Sequence, residues 1–529
     1  MKKHTTIKAD DEKCAASLEN VYSTKRPFTY STVCNVPPFT IEELFHVAKK
    51  MKKGKSIDKI GIVSEMFIHA SADVLESLLS YLNEVLRTGE IPPNWFNTHF
   101  TLLHKGGDVH DVQNWRPIAN LNITYRILAR LVFYRIVRSL DDHQSEDQFG
   151  FRRKRSCAHA LFVMECMISK GIEFQVPVWI ISIDLKKAFD RIEHHAIFQA
   201  LHEQDVDVEI IKLLERLYSD QHGAVGNFHF RISRGVRQGD VLSPILFNAV
   251  LEHAIRKWKL SLSSEGFALS PNALASRLTN IRYADDILLF GQSLDEAVSM
   301  FESLADVLKL YGLELNMKKT KIMSTLEASD ENMVCITKHG PVDILGKNSK
   351  HKYLGCSFTG DLKTRGKDAV DHRLSCAWMK YRSLQHVFED KYVCIKLRLK
   401  LFESVVSSTA LYGLETAPLT KSLLNRIDVV QRVMLRRIIG WVCYNDDTWE
   451  DRGRRMAEKL RTCLLLHPVK TWSLVVIERK LKVSERIDEL PFWSRTSINW
   501  NPYDCVMFNL SAACRPRGRP CQRWCDNIE

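Results

Sequence analysis

The chain has 529 residues, 45% of them hydrophobic, which is enough for two or three domains with a substantial core and excludes global disorder. Lys plus Arg number 75 against 63 Asp plus Glu, a net charge of +12 that suits a nucleic-acid partner without proving one, because solvated helix faces also carry lysine. No apolar run approaches the roughly 18 residues of a membrane span, Met1-Lys2-Lys3-His4 opens no signal-peptide core, and the 14 cysteines show no paired framework, so a soluble intracellular chain with reduced thiols and no membrane partner is expected.

Residues 1–39 read as an irregular polar segment that closes at Pro37-Pro38. Ile41 to Lys53 then reads as a helix whose basic end, Lys49-Lys50-Met51-Lys52-Lys53-Gly54-Lys55, is either solvated or a contact for a nucleic-acid backbone or an import receptor. Leu75, Leu78, Leu79, Leu82, Val85 and Leu86 recur at helical spacing and stop at Gly89 and Pro92-Pro93. A second long helix is predicted from about Ile123 to Leu140, with Arg126, Arg130, Arg135 and Arg138 among its apolar residues.

Val176 to Ile183 is nearly continuous and apolar, the pattern of a strand buried on both faces, and it ends on Asp184. An acid at that place rarely serves packing, although it could cap the helix into which Leu185 to Asp190 turn. In Arg234 to Asn248, Gly235 and Gly239 let backbone approach a ligand closely, and Ser243-Pro244 reads as a helix start with Ser243 as its cap. Arg237 and Gln238 on that loop are candidates to touch a nucleotide or template; the bland alternative is an ordinary loop-to-helix junction.

Tyr283-Ala284-Asp285-Asp286 separates the apolar half-strands Ile281 to Tyr283 and Ile287 to Phe290, so it reads as a β-hairpin with carboxylates at its tip. Carboxylate oxygens suit Mg²⁺, and a pair of such ions about 3.5 to 4 Å apart serves in-line phosphoryl displacement. Ser293-x-x-Glu296 is a capping-box signal for a helix with Val298, Phe301, Ala305 and Leu308 on one face and an end at Gly312. From Asp371 to about Gly440 the pattern is helical and rich in Lys and Arg. Beyond it, Trp441, Trp449, Trp472, Trp493, Trp500 and Trp524 read as core residues before base-stacking ones, and Arg515 to Arg523 is a basic stretch broken by two prolines. Cys514, Cys521 and Cys525 have no accompanying histidine, so a complete zinc site is not visible.

In order along the chain, Ile183 to Asp190, Gly235 to Pro244 and Tyr283 to Asp286 resemble the palm motifs of reverse transcriptases. Asn114-Trp115-Arg116-Pro117-Ile118 and Gln148-Phe149-Gly150-Phe151-Arg152 resemble that family's fingers motifs, and Gly312 to Lys321 and Tyr353-Leu354-Gly355 its closing palm motifs. The set is similar to the non-LTR (LINE-type) retrotransposon enzymes, over roughly residues 40–440. The resemblance implies an α+β right-hand polymerase with helical fingers, a palm of a small mixed or antiparallel sheet with helices, and a helical thumb. Its divisions would be fingers and palm at 40–360, with core motifs at 100–358, a thumb at 361–440, and a C-terminal extension at 441–529 with a basic Gly-Arg-Pro tail.

By the same resemblance, Asp184 and Asp285 would hold two Mg²⁺ ions, for which Mn²⁺ could substitute, and Asp286 would coordinate more weakly. Phe189 matches the aromatic gate under the sugar that excludes a 2′-hydroxyl. Gln238 and Gly239 match the loop near the template and nascent pair, and Tyr283 is grouped with them as a template or primer contact. Lys319 matches the lysine that protonates departing pyrophosphate, and Arg116, Arg152 and more loosely Lys105 match triphosphate or backbone contacts. The implied partners are template RNA, primer or target DNA and dNTPs, in the nucleus or cytoplasm. Only about 40 residues precede the matched region, so the endonuclease usual in such elements is expected to be missing, and Lys55 to Ile62 departs from the family's fingers entry. The alternatives are a nucleic-acid-binding relic or domesticated fragment without turnover, and an RNA-templated RNA polymerase, which would carry a smaller group at 189 and Gly-Asp-Asp at the hairpin.

Overall fold

The apolar run before Asp184 becomes the strand Trp179–Ile183, whose five residues are all buried. It starts later than predicted because Pro177 offers no N–H, and its neighbours are committed elsewhere: Val176 N–H donates to Gly171 O and Val178 N–H to Thr325 Oγ1. The computed structural model describes residues 10–23, 28, 35–55, 57, 58, 60–269, 277–325, 329–440, 448–500 and 524. Two compact units share the chain: Met1–Arg153 with Leu185–Ser263 and Glu302–Asn316, and Lys154–Asp184 with Ser264–Phe301 and Met317–Glu529.

In the second unit, six strands lie side by side in the order Met333–Thr337, Gly340–Ile344, Lys321–Ser324, Trp179–Ile183, Asp286–Gly291, Asn280–Tyr283. Neighbours pair antiparallel except Lys321–Ser324 with Gly340–Ile344, so the sheet is mixed, as expected. The helix Cys157–Phe174 buries twelve residues. Its Glu165 receives Arg365 through Nε and Nη2, at 2.6 to 2.9 Å, with both side chains 6% exposed. Arg365 opens the helix Arg365–Ser383, the first member of a helical bundle that includes Lys421–Ile439, Trp449–Leu466 and Trp472–Ser484. One core, containing Val370, Tyr381, Phe402, Leu435, Trp472 and Val476, runs through these helices and passes residue 440 without a break.

Trp472, Trp493, Trp500 and Trp524 are buried, as read, whereas Trp449 is 78% exposed. Trp441, the stretch Arg515 to Arg523 and Cys514, Cys521 and Cys525 lie outside the described residues. Trp524 itself packs edge-on against Phe162 at 4.8 Å and donates Nε1–H to Glu415 O at 2.6 Å, while its carbonyl accepts from the buried Lys480 Nζ at 3.1 Å.

The first unit holds a four-stranded sheet in the order Trp115–Asn120, Asn97–His104, Gln221–Val225, Phe228–Ile232. Its helices include Ala72–Thr88, ended by Gly89 at φ 70°, and Ile123–His143. The Thr40–Glu43 capping box opens Ile41–Lys49, which is shorter than the helix predicted to Lys53. One expectation fails: the N-terminal stretch is not irregular throughout, because Asp11–Tyr22 is a helix capped by Asp10. Cys14, Leu18, Val21 and Tyr22 are buried on it, and Tyr22 stacks with Phe100 and Phe230 at 5.8 and 6.2 Å. Five of its twelve residues are buried, and its Tyr22 packs on side chains from strands distant in sequence.

Among the described residues no helix is long and apolar enough to cross a membrane. The described cysteines, such as the buried Cys14 and Cys356, are free thiols.

Candidate active site

Asn280–Tyr283 and Asp286–Gly291 form the predicted hairpin, with Tyr283 facing Asp286 and only Ala284 and Asp285 in the turn. Ala284 takes a left-handed φ of 57° and is buried. The neighbouring strand is in register Ile183 to Ile287, which brings Asp184, the next residue, to the level of Asp286. Three carboxylates therefore meet at one end of the central strands, and Asp184 caps no helix: the short helix Ala188–Arg191 begins after Lys187 instead.

Their electrostatics are strained. Burial, then the charges of Asp285 and Asp184, push the Asp286 carboxyl up to about 7, and Lys319 only partly opposes this. Lys319 Nζ stands 3.5 Å from Asp184 Oδ2 with its side chain 68% exposed, so it can reach both the acids and solvent. Beneath the acids, His351 Nε2 lies 2.9 Å from Ser182 Oγ, and burial, aided by Lys321, lowers its imidazole to about 4. The Tyr353 hydroxyl is buried without a hydrogen-bond partner among the described residues. His351 was not marked by the sequence, and Tyr353 was marked only as part of the Tyr353-Leu354-Gly355 motif; both lie on the strand Lys350–Tyr353, which pairs with Cys356–Thr359.

Among the described residues no three His, Cys, Asp or Glu side chains are already closed around an ion position. What fits a divalent cation is the chemistry of the donor set: crowded carboxylate oxygens, one of them driven towards protonation by burial and then by the charges of the others, which a hard cation would relieve.

The remaining candidates belong to the first unit. Phe189 is half-buried, stacks on Phe247 at 4.4 Å and meets the edge of Phe151 at 6.4 Å. Gln238 Nε2 donates to both Asp190 oxygens at 3.0 and 3.2 Å, and its carbonyl accepts from Ala119 N at 2.7 Å. Asp190 also accepts from Tyr22 Oη at 2.7 Å and is buried, which raises its carboxyl. Gly239 is exposed at φ 116°, and a Cβ there would stand 3.1 Å from Ala119 O. Arg116 is exposed on the edge strand Trp115–Asn120, and Lys105 is exposed just after the strand Asn97–His104.

Three readings need correction. Arg152 donates Nε to Asp141 Oδ1 at 2.9 Å, Nη1 to Ser145 O at 2.7 Å and Nη2 to Asp141 O at 3.1 Å, so its fork holds a loop and is not presented to a triphosphate. Arg237 is fully buried between Tyr125 and Asp240 and cannot touch a template. Ser243 is the first helical residue of Ser243–Lys259; its hydroxyl donates to Arg237 O and caps nothing.

A family model described as "Reverse transcriptase (RNA-dependent DNA polymerase)" matches residues 103–358, the span that contains all three acids. The chain carries a reverse transcriptase domain of the non-LTR kind. It is similar to the Pol polyprotein of the type-1 retrotransposable element R2 of Popillia japonica, 26% identical over 67% of this chain and 49% of that one. It is also similar to the RNA-directed DNA polymerase of the mobile element jockey of Drosophila funebris, 22% identical over 85% of this chain and 50% of that one. The chain thus spans about half the length of these relatives. A solved telomerase from Candida albicans aligns over 77% of the chain and 68% of its own at 13% identity, with a TM-score of 0.35, too low to carry an argument.

Proposed function

We propose that the chain is an RNA-directed DNA polymerase of a non-LTR retrotransposon, adding dNTPs to a primer 3′-hydroxyl. The observation that carries this is the meeting of Asp184, Asp285 and Asp286 at one end of the central strands, inside the span matched as reverse transcriptase. Asp184 and Asp285 would hold Mg²⁺, with Mn²⁺ as a substitute, and Asp286 adds charge behind them. Bound there, a pair of such ions would neutralise the attacking oxygen and the leaving pyrophosphate during in-line displacement at the α-phosphate.

The chain's own groups position and neutralise. Lys319, near Asp184 and open to solvent, donates a proton to the departing pyrophosphate. Arg116, with Lys105, contacts the triphosphate; Phe189, wedged on Phe247, sits under the sugar and excludes a 2′-hydroxyl. Gln238 and Gly239 touch the template, and Tyr283 the primer end. The partners are template RNA, primer or target DNA and dNTPs, within the nucleus or cytoplasm.

Primer extension on poly(rA) with oligo(dT), Mg²⁺ and dTTP tests this, comparing the wild type with Asp285→Asn. Extension by the wild type and background incorporation by the variant are expected. A folded wild-type protein that extends nothing would sink the polymerase reading, and equal extension by the variant would sink the site.

A further inference from the structure

In the first unit, a cavity of about 300 Å³ opens between the helices Ile41–Lys49 and Ile123–His143 and the loop at Gly239. Arg126 and Arg130, one turn apart on the same helix face, line it together with Lys52 and Lys55. Both arginines are half-buried, and neither makes an ion pair or side-chain hydrogen bond among the described residues.

The sole acid among the described lining residues, Asp240, is already spent. Its Oδ2 accepts from Tyr125 Oη at 2.6 Å and pairs with Arg237 at 3.4 Å, and its Oδ1 accepts from Leu242 N at 3.2 Å. Four cations thus share a cavity whose single carboxylate already answers a fifth cation. Burial, then the charge of Arg130, lowers the Arg126 guanidinium below its ordinary range. Half-burying guanidinium groups side by side is unfavourable unless an anion joins them.

The cavity is also built. Asp58 accepts from Ile60 N and Ile62 N through Oδ1 and from Ile123 N through Oδ2, which ties the segment after Lys55 to the start of the arginine-bearing helix. Gly239, exposed and left-handed, leaves the rim bare of side chain.

We propose that this cavity binds a backbone phosphate of the single-stranded template as it passes Gly239, with Arg126 and Arg130 as the principal ligands and Lys52 and Lys55 at the mouth. A phosphodiester suits it because guanidinium groups fork onto phosphate oxygens, and phosphate contacts position a strand without reading its bases. The proposal rests on the polymerase reading, which sets nucleic acid as the substrate.

The test uses the full chain in EDTA and two labelled primer–templates that differ only in a 5′ template overhang of about six nucleotides. The wild type is expected to hold the overhang form about tenfold more tightly than the blunt one. Arg126→Gln/Arg130→Gln should erase that advantage, lower the salt slope by about 1.4, as for two contacts on a single strand, and leave blunt binding unchanged. Arg126→Lys/Arg130→Lys should restore most of it.

Equal loss on both duplexes, or no loss, overturns the proposal. So does a raised KM for dTTP with overhang binding intact, which would assign the cavity to the nucleotide. A wild type that prefers the overhang but extends no primer would sink the polymerase reading and leave the cavity standing.

Discussion

Asp286 carries the least favourable charge in the site. Its carboxyl is raised from 3.8 to about 7, so ionising it works against the folded state: the stability is whole below about 4 and is lost as pH rises through 7. Asp286→Asn should therefore raise the melting temperature in EDTA at pH 8, by about 1 to 2 °C for each kcal/mol relieved, with the gain vanishing near pH 4. A melting curve insensitive to the substitution at pH 8 would show that the three acids do not crowd. Phe189→Val tests the sugar gate. Incorporation of ribonucleotides relative to dNTPs should rise about tenfold, measured as a ratio of kcat/KM, and an unchanged ratio would return Phe189 to the core. The three acids were legible because an apolar run ending on a carboxylate conflicts with packing. Arg152 and Arg237 were not, because a guanidinium beside a glycine reads alike whether its partner is a phosphate or an aspartate brought from elsewhere.

At the scale of elements, the hairpin was legible from two apolar half-strands, but its register was not. That register brings Asp184 level with Asp286, and it is set by Ile183 pairing with Ile287 on the central strand Trp179–Ile183, whose residues are all buried. The ion pair of Glu165 and Arg365 fastens the helix Cys157–Phe174 to the start of the helical bundle, and no local pattern announces a pair 200 residues apart. Arg365→Ala would leave the buried Glu165 carboxylate with the Ser169 hydroxyl but no cation and should cost about 3 to 5 kcal/mol, whereas Glu165→Leu/Arg365→Met should recover most of it. Denaturant titration of the two variants distinguishes this from a surface pair, for which both would lie within about 1 kcal/mol of the wild type. The helix Asp11–Tyr22 escaped notice for a related reason: its stabilisation comes from Phe100 and Phe230, on strands it does not adjoin in sequence.

At the scale of the whole molecule, one buried histidine adds a contribution that is sensitive to acid. His194 is fully buried, its Nε2 2.9 Å from Gly235 O, and burial lowers its imidazole from 6.5 to about 4. A histidine buried neutral stabilises the fold fully above 6.5, and that contribution is lost as pH falls from 6.5 towards 4. Up to about 3 kcal/mol should disappear across that window. His194→Gln should flatten the stability profile between pH 7 and 4.5; a parallel profile would mean that other groups govern acid unfolding.

The sequence by itself determined the chemistry and its order along the chain: the acids, the glycine-flanked loop, and the helices whose apolar spacing needs no distant partner. These depend on residue type and short-range periodicity, which the chain carries locally. The tertiary structure alone decided which cations face solvent or a ligand and which are consumed inside. It bound Arg152 and Arg237 to carboxylates while leaving Arg126 and Arg130 in a cavity whose one described carboxylate, Asp240, is paired with Arg237. A charge in low dielectric is worth what its neighbours make it, and those neighbours arrive from elsewhere in the chain.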